Sequence, residues 1–249
     1  MTPRPSTAPP PRPPAARPGT ARVVVARPAG TGAAFDVGAR RRLYLTAVPG
    51  PIRVANRGDT GPVAASLARA FFDDPVMQYL VPDEASRRGR VSAFFEVAFA
   101  VQHLHHGACY TDTDRAGAAL WDPPGKWRMT VGEILRGSVK LIGSFRFNVP
   151  RALRILSAME RAHPRNDHWY LAVLGTDPVH QGKGIGSALL QPILERCDHE
   201  GTGAYLESSK YSNIAFYRRH GFEVTGEIAL PGGPRVWPMW RDPRPPDGA

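Results

Sequence analysis

Residues 168–186 read HWYLAVLGTDPVHQGKGIG. An apolar run, 168–175, has the length and the β-branched and aromatic content of a buried strand. Asp177-Pro178 then marks a turn, because the residue before proline is disfavoured in α geometry. Gln181 to Gly186 place three glycines in five positions immediately before a stretch, 183–199, with Ile185, Leu189 and Ile193 at helical spacing. A helix start presents unpaired N–H groups and the positive end of the helix dipole. Glycines let the backbone approach a ligand closely. Strand, glycine loop and helix together therefore describe an anion cradle, with Lys183 as an added mobile charge. A tight packing turn with no ligand would leave the same three glycines, so they do not decide the matter alone.

The spacing excludes two common phosphate loops. The Gly, four residues, Gly-Lys-Ser/Thr pattern fails because residue 177 is Asp and residue 184 is Gly. The Gly-x-Gly-x-x-Gly pattern fails because counting from Gly182 ends on Ser187 and counting from Gly184 ends on Leu189.

Outward from this stretch the chain alternates strands and helices. Strands are expected at 51–55, 109–113, 118–122, 168–175, 203–208, 222–227 and 235–240, about seven in all. Helices are expected at 61–72, 83–106, 130–136, 150–162, 183–199 and 212–219. Asp59 and Thr60 are candidate caps for the first helix and Asn213 for the last. Residues 118–122 and 109–113 form a hairpin pattern. Gly175 is expected to mark a bulge and Pro192 to kink its helix. This order implies a mixed α/β domain over 49–243, followed by a short flexible C-terminus at 244–249.

The N-terminal residues are of another kind. Residues 1–42 hold eight Arg and one acid, which is +7 of the chain's +10, and nine Pro fall in the first 28 positions. Such a segment buries too little apolar surface to offset its conformational entropy, so 1–48 is expected to be a disordered tail. Because most of the charge sits there, the basic balance does not argue for nucleic-acid binding by the folded part. No membrane segment is expected. Two cysteines, Cys109 and Cys197, make no disulfide framework and point to a reducing, cytoplasmic setting. His103, His105 and His106 sit at an expected helix end and are read as an exposed terminus, with no metal site expected.

Gln181-x-x-Gly184-x-Gly186 resembles the Gln/Arg-x-x-Gly-x-Gly/Ala motif of the GNAT superfamily of acetyl-CoA-dependent N-acetyltransferases. A second segment, Leu206-Glu207-Ser208-Ser209 to Asn213-Ile214-Ala215-Phe216-Tyr217, then Gly221-Phe222, resembles that superfamily's later signature. WYLAVLGTDPVHQGKGIGSALL, LESS, AFYRRHGFEVT and GPRVWPM look like the puromycin N-acetyltransferase-like branch. The resemblance covers residues 168–240.

The resemblance implies a GNAT fold: a mixed sheet with helices on both faces and a splayed parallel strand pair at the acetyl-CoA site. It implies cofactor contacts from Leu174, Gly175 and Thr176 along the splayed strand. Gln181, Gly182, Lys183, Gly184, Ile185, Gly186 and Ser187 would hold the pyrophosphate, and Asn213 the pantetheine arm. It implies Tyr217 as the acid that protonates the departing thiolate, a role for which a phenol is suited. Glu207, a carboxylate in the middle of a strand, is costly there unless paired or functional, and is the candidate base. Asp74, Glu96 and His168 are rivals. The acceptor is expected to be a small-molecule amine. A protein amine, another acyl-CoA donor and a non-catalytic CoA sensor are the alternatives. Strand 235–240 is the candidate edge for pairing in a homodimer.

Overall fold

The computed structural model describes residues 50–230 and 232–244. The expected tail at 1–48 and most of the C-terminus at 244–249 lie outside them. The described strands are β1 (Ile52–Val54), β2 (Cys109–Asp112), β3 (Gly117–Asp122), β4 (His168–Thr176), β5 (Gly203–Ser208), β6 (Glu223–Val224), β7 (Ile228–Ala229) and β8 (Arg235–Arg241). The helices are α1 (Thr60–Ala70), α2 (Pro75–Leu80), α3 (Glu84–Val97), α4 (Val131–Phe145), α5 (Val149–Ala162), α6 (Ile185–Glu200) and α7 (Ile214–Arg219). One mixed sheet runs β1-β2-β3-β4-β5-β8-β6, with β7 pairing β8. Every pairing is antiparallel except β4 with β5.

The period of two along each strand sorts side chains into two cores. Ala118 and Leu120 of β3 join α1, α3, Phe145 and Ile155 on one face. Ala119 and Trp121 join α6, α7, Ala204 and Leu206 on the other. Helices thus cover both faces, as the fold class required.

Several local expectations are corrected. The bulge lies one turn of pleat earlier than Gly175: the β3–β4 register shifts so that Ala172 is the extra residue between Leu171 and Val173. Gly175 stays in register, opposite Ala118. Its missing side chain instead makes room for α1, since a Cβ there would stand 2.7 Å from Leu67 Cδ2 and 2.9 Å from Phe71 Cε2. The second helix does reach His106, but only as far as Val97 in α geometry; it continues as a wider π turn over Ala98–His103 and a tighter 3-10 turn over Leu104–His106.

The short helix expected at 130–136 is α4, which reaches Phe145. Gly137 does not break it, because a Cβ there would lie 2.8 Å from Val97 Cγ1, so the glycine serves close packing of α4 on α3. The expected strand at 222–227 is only β6, and β7 begins at Ile228. Strand 235–240 is no edge, because β8 lies between β5 and β6. Pro192 sits inside α6, which continues through it to Glu200.

Two expected caps also differ. Asp59 makes no cap bond to α1; its carboxylate accepts from the Asn56 N–H at 2.9 Å, from Arg53 at 2.7 and 2.8 Å and from Arg115 at 3.0 Å. Asn213 precedes α7 with backbone already helical and likewise makes no side-chain cap bond.

Candidate active site

The site begins where β4 and β5 stop pairing. Their register runs from His168 with Gly203 to Leu171 with Leu206 and goes no further. Beyond it β4 stays with β3 as far as Thr176 opposite Gly117, and β5 stays with β8 as far as Ser208 opposite Trp237. The bulge at Ala172 sits at the parting. A bulge bends its strand and increases the twist, so it supplies the physical cause of the separation. Past the parting, the facing edges of the two strands carry backbone polar groups with no strand partner, open to an extended ligand.

The gap opens into a groove between α1, β4, α6 and α7. Leu174, Gly175 and Thr176 line it from the strand. Gln181, Gly182, Gly184, Ile185, Gly186 and Ser187 line it from the glycine loop and the start of α6, and Asn213 and Tyr217 from α7 and the turn before it. Lys183 is exposed beside the loop and does not line the groove.

The loop is built for backbone donation. Gly182 and Gly184 hold φ values of 75° and 83°, in the left-handed region that costs other residues roughly 1–2 kcal/mol. Gly184 occupies the N-cap position, so no side chain occupies the first N–H groups of α6. Gly186 brings the helix close to Phe216, which a Cβ would meet at 3.4 Å. Asp177 fixes the turn from behind: it accepts from Arg69 Nε of α1 at 2.6 Å and from the Val179 N–H at 3.4 Å. Gln181 Nε2 donates to the Thr176 carbonyl at 3.0 Å, which closes the loop back on β4. Lys210 and Arg219 add positive charge to the lining. These features fit a ligand that is anionic at one end and extended at the other.

Tyr217 is 8% exposed, and its hydroxyl makes no hydrogen bond to any described residue. Burial, with the Asp74 carboxylate nearby, pushes its phenol above the usual range. The group therefore keeps its proton at any pH near neutral.

The rivals to Glu207 are separated by position. Asp74 also lines the groove, but its carboxylate caps α2, accepting from the Val76 and Met77 N–H groups at 2.9 and 3.1 Å and from Ser209 Oγ. Burial raises its pKa against those bonds. Glu96 is on the far surface, held by Lys140 at 2.7 Å. His168 is 2% exposed and belongs to a cluster with Glu207.

Glu207 itself is the first residue past the last β4–β5 pair. Its neighbour Leu206 packs with α6 and Ser208 Oγ donates to the Lys210 carbonyl, whereas its own carboxylate turns to the opposite face. There it meets His163, Tyr170 and Tyr205. The Glu207 side chain is only 1% exposed, and Oε1 has no hydrogen-bond partner. Tyr217 thus lines the groove, whereas the Glu207 side chain is buried at the parting of the strands and does not line it.

The chain matches the Acetyltransferase (GNAT) family over residues 95–222. The chain belongs to that family. It is 35% identical over 179 residues to an uncharacterized N-acetyltransferase of Schizosaccharomyces pombe, covering 67% of this chain and 72% of that one. Its fold is similar to that of a protein from Corynebacterium glutamicum described as histone acetyltransferase HPA2 and related acetyltransferase, with 26% identity, TM-score 0.59, and 80% and 99% of the two chains covered. The arylalkylamine N-acetyltransferase 2 of Aedes aegypti shares the fold at 14% identity, with TM-score 0.51 and 78% and 98% covered.

This protein is therefore a GNAT N-acetyltransferase that carries out acyl-CoA-dependent acetyl transfer, with acetyl-CoA as cosubstrate. No described helix is long and apolar enough to cross a membrane.

Two features of the site were not legible beforehand. The histidines near 103 are not a free terminus: His103 Nδ1 is 2.7 Å from Asp122 Oδ1, and His105 lies 3.2 Å from Glu133. The π turn at the end of α3 aims His103 inward. Among the described residues no group of three or more His, Cys, Asp or Glu is arranged to hold a metal ion. His163, at the end of α5, reaches Glu207 across 44 positions of sequence, and no local signal announces it.

Proposed function

We propose that this N-acetyltransferase acetylates a primary amine of a small molecule in a ternary complex. Acetyl-CoA supplies an activated thioester. Gly182, Gly184 and the first N–H groups of α6 hold its pyrophosphate, and the edges of β4 and β5 past Leu171 and Leu206 hold its extended arm. Tyr217 keeps a proton in a buried, unbonded hydroxyl and delivers it to the leaving sulfur. Glu207 accepts the proton that the ammonium must lose before nitrogen can attack.

The observation that carries this reading is the placement of these two groups. A protonated phenol lines the groove past the strand parting, and a buried carboxylate with an unpartnered oxygen stands at the first residue beyond the last β4–β5 pair. A domain that only sensed CoA would have no use for a buried carboxylate oxygen left without a donor, which costs about 1–3 kcal/mol.

The test is CoA release from acetyl-CoA, followed with a thiol reagent, across puromycin, tyramine, spermidine and a lysine-containing peptide. Tyr217→Phe and Glu207→Gln run alongside. Amine-dependent release that collapses in both variants supports the assignment. Release with the peptide alone would move the acceptor to protein amines. Tight CoA binding without release from any amine would leave a sensor.

A further inference from the structure

Behind Glu207 lies a chain of two imidazoles whose protonation is fixed by its far end. His168 Nδ1 is 2.6 Å from the Asn166 carbonyl oxygen, which can only accept. Nδ1 of His168 therefore carries hydrogen, and in the neutral ring its Nε2 is bare. His168 Nε2 stands 3.0 Å from His163 Nε2. The single hydrogen between them must then belong to His163. That leaves His163 Nδ1 bare, and it faces Glu207 Oε1 at 3.7 Å. While the pair is neutral, a lone pair and a carboxylate oxygen confront one another with no hydrogen between them. His163 and Glu207 side chains are 2% and 1% exposed, so water does not relieve the contact from outside.

We infer that His163 and His168 form a one-proton sink behind Glu207, and that this sink takes up the proton the acceptor amine gives to the carboxylate. The inference rests on the reading of Glu207 as proton acceptor. The step balances as follows. The ammonium N–H bond breaks and its proton goes to Glu207, leaving a neutral amine and a carboxylic acid. The proton then passes from the carboxylic acid to His163 Nδ1, restoring the carboxylate and making an imidazolium. A small side-chain rotation closes the 3.7 Å gap. The imidazolium keeps its Nε2–H on His168, whose Nδ1–H stays on the Asn166 carbonyl. His163 and His168 act through Glu207 and are positioning residues.

The surroundings favour a cation at His163 in particular. Trp127 stacks on its ring at 3.7 Å between centroids and 22° between planes. Tyr170 and Tyr205 present ring contacts at 4.8 and 4.9 Å. Aromatic faces stabilise a cation, although Arg128 over the far side of Trp127 opposes it. The other titratable groups facing the pair are Glu207 and Tyr205 from β5, Tyr170 from β4 with Asp122 beyond it, and Asp167 from the loop before β4. Trp240 of β8 closes the side of His168. Burial lowers the pKa of His168, which disfavours a charge on that ring.

The test does not require the natural acceptor. The protein is labelled with 15N-histidine, and long-range proton–nitrogen spectra are recorded from about pH 5 to about pH 10, the range that spans an imidazole. His163→Gln and His168→Gln assign the signals. The expected result is His168 as the Nδ1–H tautomer and His163 as the Nε2–H tautomer at high pH. On acidification the added hydrogen appears on His163 Nδ1 while His168 keeps its neutral tautomer. A hydrogen on His163 Nδ1 at high pH overturns the inference, as does an added hydrogen that goes to His168 first.

Kinetics with whichever amine of the panel is active separate the two readings. Full turnover in Glu207→Gln removes the base assignment. Loss of turnover in Glu207→Gln, with the acid limb of kcat/KM unmoved in His163→Gln, removes the sink and leaves the base.

Discussion

Leu171 pairs with Leu206, and no later residue of β4 pairs with β5. The last parallel pair stands directly beside the extra residue Ala172. One inserted residue in β4 therefore opens the sheet at the place where Glu207 follows Leu206.

Tyr217→Phe removes only an oxygen that makes no hydrogen bond to the described residues. The fold and CoA affinity are expected to persist while kcat falls about 10²- to 10⁴-fold, the usual loss for a positioned acid. Because burial raises this phenol, its loss of a proton lies above about pH 10. The wild-type rate should therefore show no alkaline limb below that point. Stopped-time CoA release against pH measures both.

Gly184→Ala forces a side chain into φ 83° at the mouth of α6. The strain is about 1–2 kcal/mol. Relief of that strain turns N–H groups away from the ligand. CoA binding by calorimetry should weaken about tenfold or more, with the thermal midpoint lowered by about 2–8 °C.

Gly175→Ala acts on stability, because the new methyl meets Leu67 and Phe71 on α1. Overpacking of this kind costs about 1–3 kcal/mol. For a domain of this size the thermal midpoint should drop by about 2–10 °C, as calorimetry would register. A neutral result would mean that α1 shifts freely on β4.

Asp59 is 1% exposed and shared by Arg53 and Arg115, with its pKa held well below the ordinary carboxylate range, chiefly by the Arg53 bonds. A carboxyl with a depressed folded-state pKa stabilises the fold above its unfolded pKa of about 3.9 and loses that contribution as pH falls toward the folded value. Asp59→Asn should destabilise the protein at neutral pH by about 1–3 kcal/mol, discounted from a fully buried pair because both arginines are partly exposed. It should also flatten the dependence of stability on pH below about 4. Urea unfolding at neutral and acidic pH checks this.

Much of the fold was written in local patterns. The apolar run, glycine loop and apolar stripe of 168–199 became β4, the cradle and α6, because strand and helix periods and the φ demands of glycine act over a few residues. Gly182 and Gly184 were legible in the same way, whereas Tyr217 was singled out by the family resemblance; all three line the groove. Thr130-x-x-Glu133 was an available signal that went unread. It is a capping box, with the Thr130 N–H donating to Glu133 at 2.6 Å, and it starts a helix longer than its glycines suggested.

Other features depend on which chains meet. Gly137 and Gly175 look like breakers in one dimension and prove to be contact points for Val97 and Leu67. The bulge at Ala172 arises from β3 pairing, and β8 leaves the edge because β6 returns beside it. The choice among Asp74, Glu96, His168 and Glu207 could not be made from spacing, since each differs only in what surrounds it. By itself the sequence determined the cradle, the phenol and the family's order of strands and helices. Only the tertiary structure decided where the sheet opens and set His163 against Glu207, because those contacts join residues too far apart for any local preference to reach.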